Sequence, residues 1–335
     1  MFKKRILALS LIVTVAASGC SLFGGGGESS GGADADALNQ QIARLEGQVE
    51  SLREQTVTTI GFRSRDDHLS GASHPAVSAA ISVKEETMSS LPPTITIKDK
   101  EYSTRLTSLS LSSMDLTNRD IENLKYMVYL EELQIFQNKI SDLTPLTGLT
   151  SLKTLSLFSN EVSDLTPIAG LAQLEALYLR SNKITDISPL EALLNLNTLD
   201  ISHNDISDIS ALSEMTEMQL LRINHNRIAN ISGLKNMRNL NRVHMQNNHI
   251  SDISAFMGLN NITEIYVDSN NVSNIEPLHG MTTLGWLKIS NNPIHDISAV
   301  SSLIGLRKLY VEGLDIDSSV LDALSSELPR CEIIR

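Results

Sequence analysis

The chain has 335 residues, of which 41% are hydrophobic and 20% are charged, and its formal net charge is −12. This composition predicts a soluble protein with a buried core. The acidic balance argues against nucleic-acid binding, which needs a basic face. Two cysteines, Cys20 and Cys331, exclude a disulfide framework and a cysteine-rich metal cluster.

Residues 1–19 have the pattern of a secretory signal peptide, with a basic start followed by a short apolar run. The run ends in Ala17-Ser18-Gly19-Cys20, which resembles a bacterial lipobox, although alanine stands where leucine is commoner. The resemblance implies that Cys20 becomes the acylated first residue of an exported lipoprotein. That protein would be held at the cell membrane or outer membrane, with its domain outside the cytoplasm. The alternatives are ordinary signal cleavage nearby and a retained anchor.

Three segments follow before the main body of the chain. Residues 20–37 are rich in Gly and Ser and predict a flexible tether. Residues 38–55 carry apolar side chains at alternating spacings of four and three, which favours a short coiled coil and a homo-oligomer through residues 38–52. So short a helix is marginal in water, so a lone amphipathic helix or a disordered segment is the alternative. Residues 56–93 show no clear period and are interpreted as a linker.

Residues 94–335 are built from a repeat. Asparagine recurs eight times at intervals of 22 residues, and apolar positions keep step with it. The motif L-x-x-L-x-L-x-x-N-x-I resembles the leucine-rich repeat, and its length and second half resemble the class found in bacterial internalins. The resemblance implies an α/β solenoid, a right-handed superhelix with a parallel β-sheet on the concave face and short 3-10 or turn segments on the convex face. The repeated asparagines are Asn138, Asn160, Asn182, Asn204, Asn226, Asn248, Asn270 and Asn292.

The residues support the same architecture. Around Leu177 and Leu179, apolar and polar side chains alternate with the period of a strand that is buried on one face. A single coil cannot bury that face, whereas stacked coils can. Each asparagine follows its strand, where its amide can satisfy backbone groups in the bend. We therefore predict an internal asparagine ladder.

The second half of each repeat predicts a capped turn. Ser188-Pro189 and Thr144-Pro145 resemble a hydroxyl cap followed by proline at a helical first turn. An aspartate such as Asp186 lies two residues before the cap in most repeats, and is expected to bond local amides or solvent. A calcium row is the alternative, but lone carboxylates do not supply the six to eight oxygens that calcium needs.

Both ends depart from the repeat, as caps must. Met114 and Leu314 replace the asparagine. The segment LTNRDIENLKYM predicts an α-helix with Thr117 as its cap, preceded by an edge strand in TITIKDKEY. The last residues predict a terminal helix and strand, with Cys331 as an inert, buried thiol.

The outward strand positions vary from coil to coil and form the candidate binding surface. Six aromatic residues occupy these positions in a chain that is only 4% aromatic. They fall into two predicted clusters, Phe136, Phe158 and Tyr178 near one end, and Tyr266, Trp286 and Tyr310 near the other. The alternative is that aromatics simply suit strands and pack on each other. The predicted partner-binding residues are Phe136, Phe158, Tyr178, Arg180, Asp200, Arg222, His244, Tyr266, Trp286, Lys288 and Tyr310.

The sequence has no nucleotide-binding or hydrolase motif in a suitable context, so we expect a protein that is not an enzyme and has no cofactor. A surface metal site at His203 and His225, with His244 near them, is the alternative to solvated turn histidines, which are favoured, and we predict no metal. The predicted function is binding of a protein or peptide through the concave face. A glycan or cell-wall polymer, and a structural envelope spacer, are the other two hypotheses. The acidic balance gives a weak indication of a basic partner.

Overall fold

A computed structural model describes residues 91–335. The predicted signal peptide, the Cys20 lipidation site, the tether and the 38–55 helix lie outside the described residues, as does nearly all of the 56–93 linker. The described part contains a two-stranded hairpin and an eleven-stranded sheet. None of its helices has the length and apolar character needed to cross a membrane.

The sheet is parallel, and each strand pairs with the next along the chain. This order without crossovers is that of a leucine-rich repeat solenoid, as the repeat predicts. The strands of the sheet are β3 Ser108–Ser110, β4 Glu132–Gln134, β5 Thr154–Ser156, β6 Ala176–Tyr178, β7 Thr198–Asp200, β8 Leu220–Arg222, β9 Arg242–His244, β10 Glu264–Tyr266, β11 Trp286–Lys288, β12 Lys308–Tyr310 and β13 Glu332–Ile334.

Short 3-10 segments alternate with the strands and form the convex side. In the described part they are Asn118–Tyr126, Thr144–Leu146, Thr166–Ile168, Ser188–Leu190, Ser210–Leu212, Ser232–Asn236, Ser254–Phe256, Glu276–Leu278 and Ser298–Ser302.

The core runs between the sheet and the 3-10 segments as one continuous apolar column. In a typical coil, Leu177 and Leu179 from the strand side and Ile187 and Leu190 from the 3-10 side are all buried. The same positions are apolar and buried in neighbouring coils, so each coil covers the apolar side chains of the next. Stability therefore depends on contacts between neighbouring coils rather than on any coil alone.

The asparagines form a ladder inside this column. Asn204 shows the pattern: its Nδ2 donates to the carbonyl of Ile201 in its own coil and to that of Leu179 in the preceding coil, each at 3.1 Å. Its Oδ1 accepts from the backbone N–H of Ile184 at 3.0 Å. The other seven make equivalent bonds. The residue before each asparagine is left-handed, with φ between 54° and 56°, a conformation that is costly for non-glycine residues. The ladder bonds hold the chain in this bend.

On the convex side the caps differ from those predicted. Ser188 and Thr144 are the first residues of their 3-10 segments, not caps, and their hydroxyls make no capping bond. The capping acceptor is the aspartate two residues earlier: Asp186 Oδ1 accepts from the Ser188 N–H at 2.8 Å. Asn230 and Asn274 do the same in the coils that lack the aspartate. The aspartate row therefore bonds local turn amides, as expected.

At the N-terminal end the segment after Thr117 is a 3-10 helix, Asn118–Tyr126, rather than the expected α-helix. A 3-10 helix rises about 2.0 Å per residue against 1.5 Å, so the same residues cross more of the coil's width. The Asp120 carboxylate accepts from the Thr117 N–H and O–H, both at 2.7 Å. The expected edge strand forms the antiparallel hairpin of β1, Thr94–Ile97, and β2, Lys100–Ser103, which does not join the parallel sheet.

The C-terminal end has the expected helix and strand, α1 Ser318–Glu327 and β13. Asp317 caps α1 by accepting from the Ser319 N–H at 2.8 Å. Cys331 is partly buried, and burial raises the pKa of its thiol, which fits an inert cysteine.

Candidate binding surface

The concave face carries three parallel rows of side chains, one residue of each row per coil. The first row is the first residue of each strand, the second row is the third residue, and the third row lies two residues further on. From β4 to β12 the first row is Glu132, Thr154, Ala176, Thr198, Leu220, Arg242, Glu264, Trp286 and Lys308. The second row is Gln134, Ser156, Tyr178, Asp200, Arg222, His244, Tyr266, Lys288 and Tyr310. The third row is Phe136, Phe158, Arg180, Ser202, Asn224, Gln246, Asp268, Ser290 and Glu312.

These registers change the two predicted aromatic clusters. Trp286 lies in the first row, opposite Glu264 and Lys308, so it is not a row neighbour of Tyr266. Tyr266 and Tyr310 lie in the second row with Lys288 between them. The sequence spacing already contains this register, because residues of one row are 22 apart, and Trp286 lies 22 residues from Glu264 and from Lys308 but 20 from Tyr266.

At the N-terminal end, Phe136 and Phe158 stack with ring centroids 4.2 Å apart and planes inclined by 12°. Tyr178 lies one row away, opposite Ser156. The neighbour of Phe158 in its own row is Arg180, which is exposed. This end therefore presents an aromatic pair followed by a cation.

A hydrogen-bonded group occupies the middle of the sheet. The Nε2 of His244 lies 2.9 Å from Oε1 of Glu264, and the imidazole stacks on Tyr266 with centroids 4.6 Å apart. Burial lowers the pKa of His244 and outweighs the opposing effect of Glu264. Burial and the hydrogen bond to Glu264 raise the pKa of the Tyr266 phenol. The group is thus an uncharged imidazole and phenol around a carboxylate.

A shallow depression lies beside this group. Its walls include the aromatic rings of Tyr266 and Trp286, together with Arg242 and Glu264. Trp286 is 38% exposed, unusual for so large an apolar side chain. Rings, a cation and a carboxylate around one depression can hold a partner side chain by apolar contact and by charge.

Beyond Trp286 the surface becomes polar. The Lys288 Nζ lies 3.3 Å from Asp268 Oδ2 and 5.9 Å from the centre of the Tyr310 ring. Three buried polar atoms in the third row, Gln246 Oε1, Asp268 Oδ1 and Ser290 Oγ, have no hydrogen-bond partner among the described residues. They lie in consecutive coils. The third row therefore contains a stretch of buried polar atoms whose hydrogen bonds the described residues do not supply.

His203 and His225 stack at the turn edge of the sheet, with centroids 4.1 Å apart. Burial, then the neighbouring charges of His225 and Arg180, lower the pKa of His203. No group of three or more metal-ligating side chains occurs within residues 91–335.

Two members of this surface, Arg242 and Glu264, are absent from the sequence prediction. They occupy the first row, whereas the predicted positions lie mainly in the second and third rows. The two-residue period of a strand also predicts that the residue before the first buried strand residue faces outward. Arg242, Glu264 and Trp286 all occupy this position, so the sequence pattern marks all three as outward-facing.

The family model for leucine-rich repeats in two copies matches residues 129–170, 150–192, 172–214 and 216–256. Internalin C2 from Listeria monocytogenes is 31% identical; the match covers 63% of this chain and 90% of that one, with a TM-score of 0.54. A search of curated protein sequences gave no significant match.

Two more distant structures share the fold. The functional domain of InlJ from Listeria monocytogenes is 22% identical, with 70% of this chain and 50% of that chain covered and a TM-score of 0.59. The plant peptide hormone receptor RGFR1, solved in complex with RGF2, is 20% identical, with 63% and 40% covered and a TM-score of 0.53.

Solenoids of stacked repeats offer an extended concave surface, and leucine-rich repeat proteins generally use it for protein–protein interaction. The 22-residue repeat, the parallel sheet and the asparagine ladder agree with the match to internalin C2. The chain therefore belongs to the leucine-rich repeat family, in its internalin-like class.

Proposed function

We propose that this protein is a binding protein rather than an enzyme, and that it captures a protein or peptide on its concave face. The observation that carries the proposal is the exposure of Trp286 beside Tyr266, in a depression that also holds a cation and a carboxylate. Tryptophan, tyrosine and arginine dominate the binding energy of protein interfaces. Since the core is complete beneath the strand, the solenoid itself does not require a tryptophan there.

The likeness to other leucine-rich repeat structures supports a peptide or protein ligand. RGFR1 is described as a peptide hormone receptor and was solved with RGF2 bound. RGFR1 is only 20% identical to this chain, so it shows a shared fold and not a shared ligand. The proposal of a protein or peptide ligand therefore depends on the concave surface described above.

Capture of partners by the immobilised full chain tests this function. We expect Trp286→Ala and Phe158→Ala each to abolish capture while the melting temperature stays nearly unchanged. Ile304→Ala is the matched control, since Ile304 is a 72% exposed apolar residue outside the sheet. A loss of stability without a specific loss of capture would contradict the proposal. Binding on a glycan array without protein capture would favour the glycan hypothesis, and no capture in either assay would favour a spacer.

The setting of this domain is also a proposal. We propose that residues 1–19 direct export, that Cys20 is acylated at a bacterial membrane, and that residues 20–93 form a stalk that oligomerises through residues 38–52. Several acyl chains would hold the protein firmly, since each buried methylene contributes about 0.8 kcal/mol. Radioactive fatty acid should label the protein and should not label Cys20→Ala. Equal labelling of both would contradict lipidation at this cysteine.

A further inference from the structure

The concave face carries three arginines without partners. Arg180, Arg222 and Arg242 make no ion pair and no side-chain hydrogen bond with any described residue. Several lysines elsewhere in the solenoid pair with a carboxylate of the preceding coil, such as Lys153 with Glu131 at 2.6 Å and Lys183 with Glu161 at 2.7 Å. The three concave-face arginines have no such partner among the described residues.

The carboxylates that neighbour Arg222 and Arg242 in their rows are bonded to other groups. Asp200 is next to Arg222 in the second row, but its Oδ1 accepts from the Ser202 hydroxyl and N–H. Glu264 is opposite Arg242 in the first row, but it bonds His244. Both carboxylates are recessed, with Asp200 8% exposed and the Glu264 side chain 17% exposed. Arg180 and Arg242 are exposed, so an approaching partner meets guanidinium groups first.

The three arginines lie on a diagonal across the sheet. Arg180 is in the third row of β6, Arg222 in the second row of β8 and Arg242 in the first row of β9. With strands about 4.8 Å apart and a rise of about 3.3 Å per residue, successive Cα separations are about 12 Å and about 8 Å. An extended chain spans these steps in two to four residues.

The rest of the molecule has the opposite charge. The chain carries a net charge of −12. The capping aspartates, such as Asp186 and Asp252, are exposed on the convex side. An acidic partner is therefore repelled from that side more than from the concave face, whose rows from β4 to β12 hold as many cations as carboxylates.

We propose that the concave face recognises an extended acidic segment of a protein, with Asp or Glu residues two to four positions apart that pair with Arg180, Arg222 and Arg242. The proposal rests on the proposed function and names its ligand class. The net charge of the whole chain indicates a basic partner, whereas this proposal predicts an acidic one. Guanidinium groups bind carboxylates through two parallel N–H donors. A partner must therefore present its carboxylates at matching positions to pair with the three arginines.

The acidic ligand is tested by selection on the immobilised full chain. The selection uses a random library of phage-displayed 12-residue peptides. We expect the recovered peptides to be enriched in Asp and Glu at spacings of two to four. Their affinity should fall at least roughly tenfold in a variant with Arg180→Gln, Arg222→Gln and Arg242→Gln, and should weaken with added salt. The control carries Arg119→Gln, Arg238→Gln and Arg330→Gln, which removes the same charge away from the sheet and should leave affinity unchanged.

The outcomes separate the two proposals. Neutral or basic peptides that are lost in Trp286→Ala would overturn the acidic ligand and leave the concave binding function standing. Acidic peptides that bind the triple glutamine variant as tightly as the parent would also overturn it. Binding of heparin but of no peptide would replace it with an anionic polysaccharide. A selection that yields no peptide dependent on Trp286 or Phe158 would overturn the binding function, and this inference with it.

Discussion

The imidazole of His244 is held between Glu264 and Tyr266, with its Nε2 2.9 Å from the carboxylate and its ring 4.6 Å from the phenol ring. Asp200 and Arg222 are the other charged groups that influence it. Only 16% of the His244 side chain is exposed. Burial therefore lowers its pKa in spite of the adjacent carboxylate, and the neutral imidazole is the form that the fold favours.

This arrangement makes stability depend on pH. The pKa values of His203 and His244 are lower in the folded chain than the ordinary value of 6.5. Between those lowered values and 6.5 the unfolded chain binds more protons, so the free energy of unfolding must fall as the pH falls through this range. We expect His244→Gln to reduce this slope in urea unfolding measured from pH 7.5 to pH 5. A slope that is the same in His244→Gln and in the parent would contradict the assignment.

The asparagine ladder should be a major source of stability. Asn204→Ala removes the amide that joins Ile184, Leu179 and Ile201. The Ile184 N–H is left unpaired in the interior, and the carbonyls of Leu179 and Ile201 each keep only the donor from a neighbouring ladder asparagine. We expect it to lower the free energy of unfolding by about 3 kcal/mol. Asn195→Ala is the control, because Asn195 makes one exposed bond to Ala172 and should change stability by less than about 1 kcal/mol. Equal losses in the two variants would exclude a special role for the ladder.

The aspartates that cap the 3-10 segments should act through an oxygen atom rather than through their charge. Asp186 caps through one oxygen, which accepts from the Ser188 N–H, and Asn230 and Asn274 show that an amide oxygen serves equally. Asp186→Asn should therefore leave chemical denaturation within about 0.5 kcal/mol of the parent, whereas Asp186→Ala should cost about 1 kcal/mol. Calcium binding at these aspartates would require the negative charge of the carboxylate. Stabilisation by added calcium that disappears in Asp186→Asn would contradict the capping role.

Two glycines differ sharply in the space around them. A Cβ at Gly305 would overlap the carbonyl oxygen of Thr282 in the preceding coil, whereas the nearest atom to a Cβ at Gly233 is the Ile209 oxygen at 3.5 Å. Gly305→Ala must push two coils apart and should lower the thermal stability by about 1–3 kcal/mol. Gly233→Ala should be nearly neutral. Differential scanning calorimetry of the two variants distinguishes them, and equal melting temperatures would be the contrary result.

Most of the fold is predictable from sequence because one repeat constrains every coil. The spacing of Leu177, Leu179 and Asn182 specifies a strand, its buried face and the bend that follows. The row to which Trp286 belongs was predicted less well, although its spacing of 22 residues from Glu264 and from Lys308 places it in the first row. Pairing was not predictable: Arg222 and Asp200 are adjacent, yet Asp200 bonds Ser202, and that choice depends on local side-chain geometry.

The position of Trp286 offers the most direct test of binding at the concave face. A photo-crosslinking amino acid is placed at position 286 of the full chain in living cells, with position 304 as the exposed control outside the sheet. We expect one discrete protein adduct from position 286, absent from position 304 and lost when Phe158→Ala is added. Adducts that are identical at the two positions, or no protein adduct at position 286, would contradict a binding role for this face.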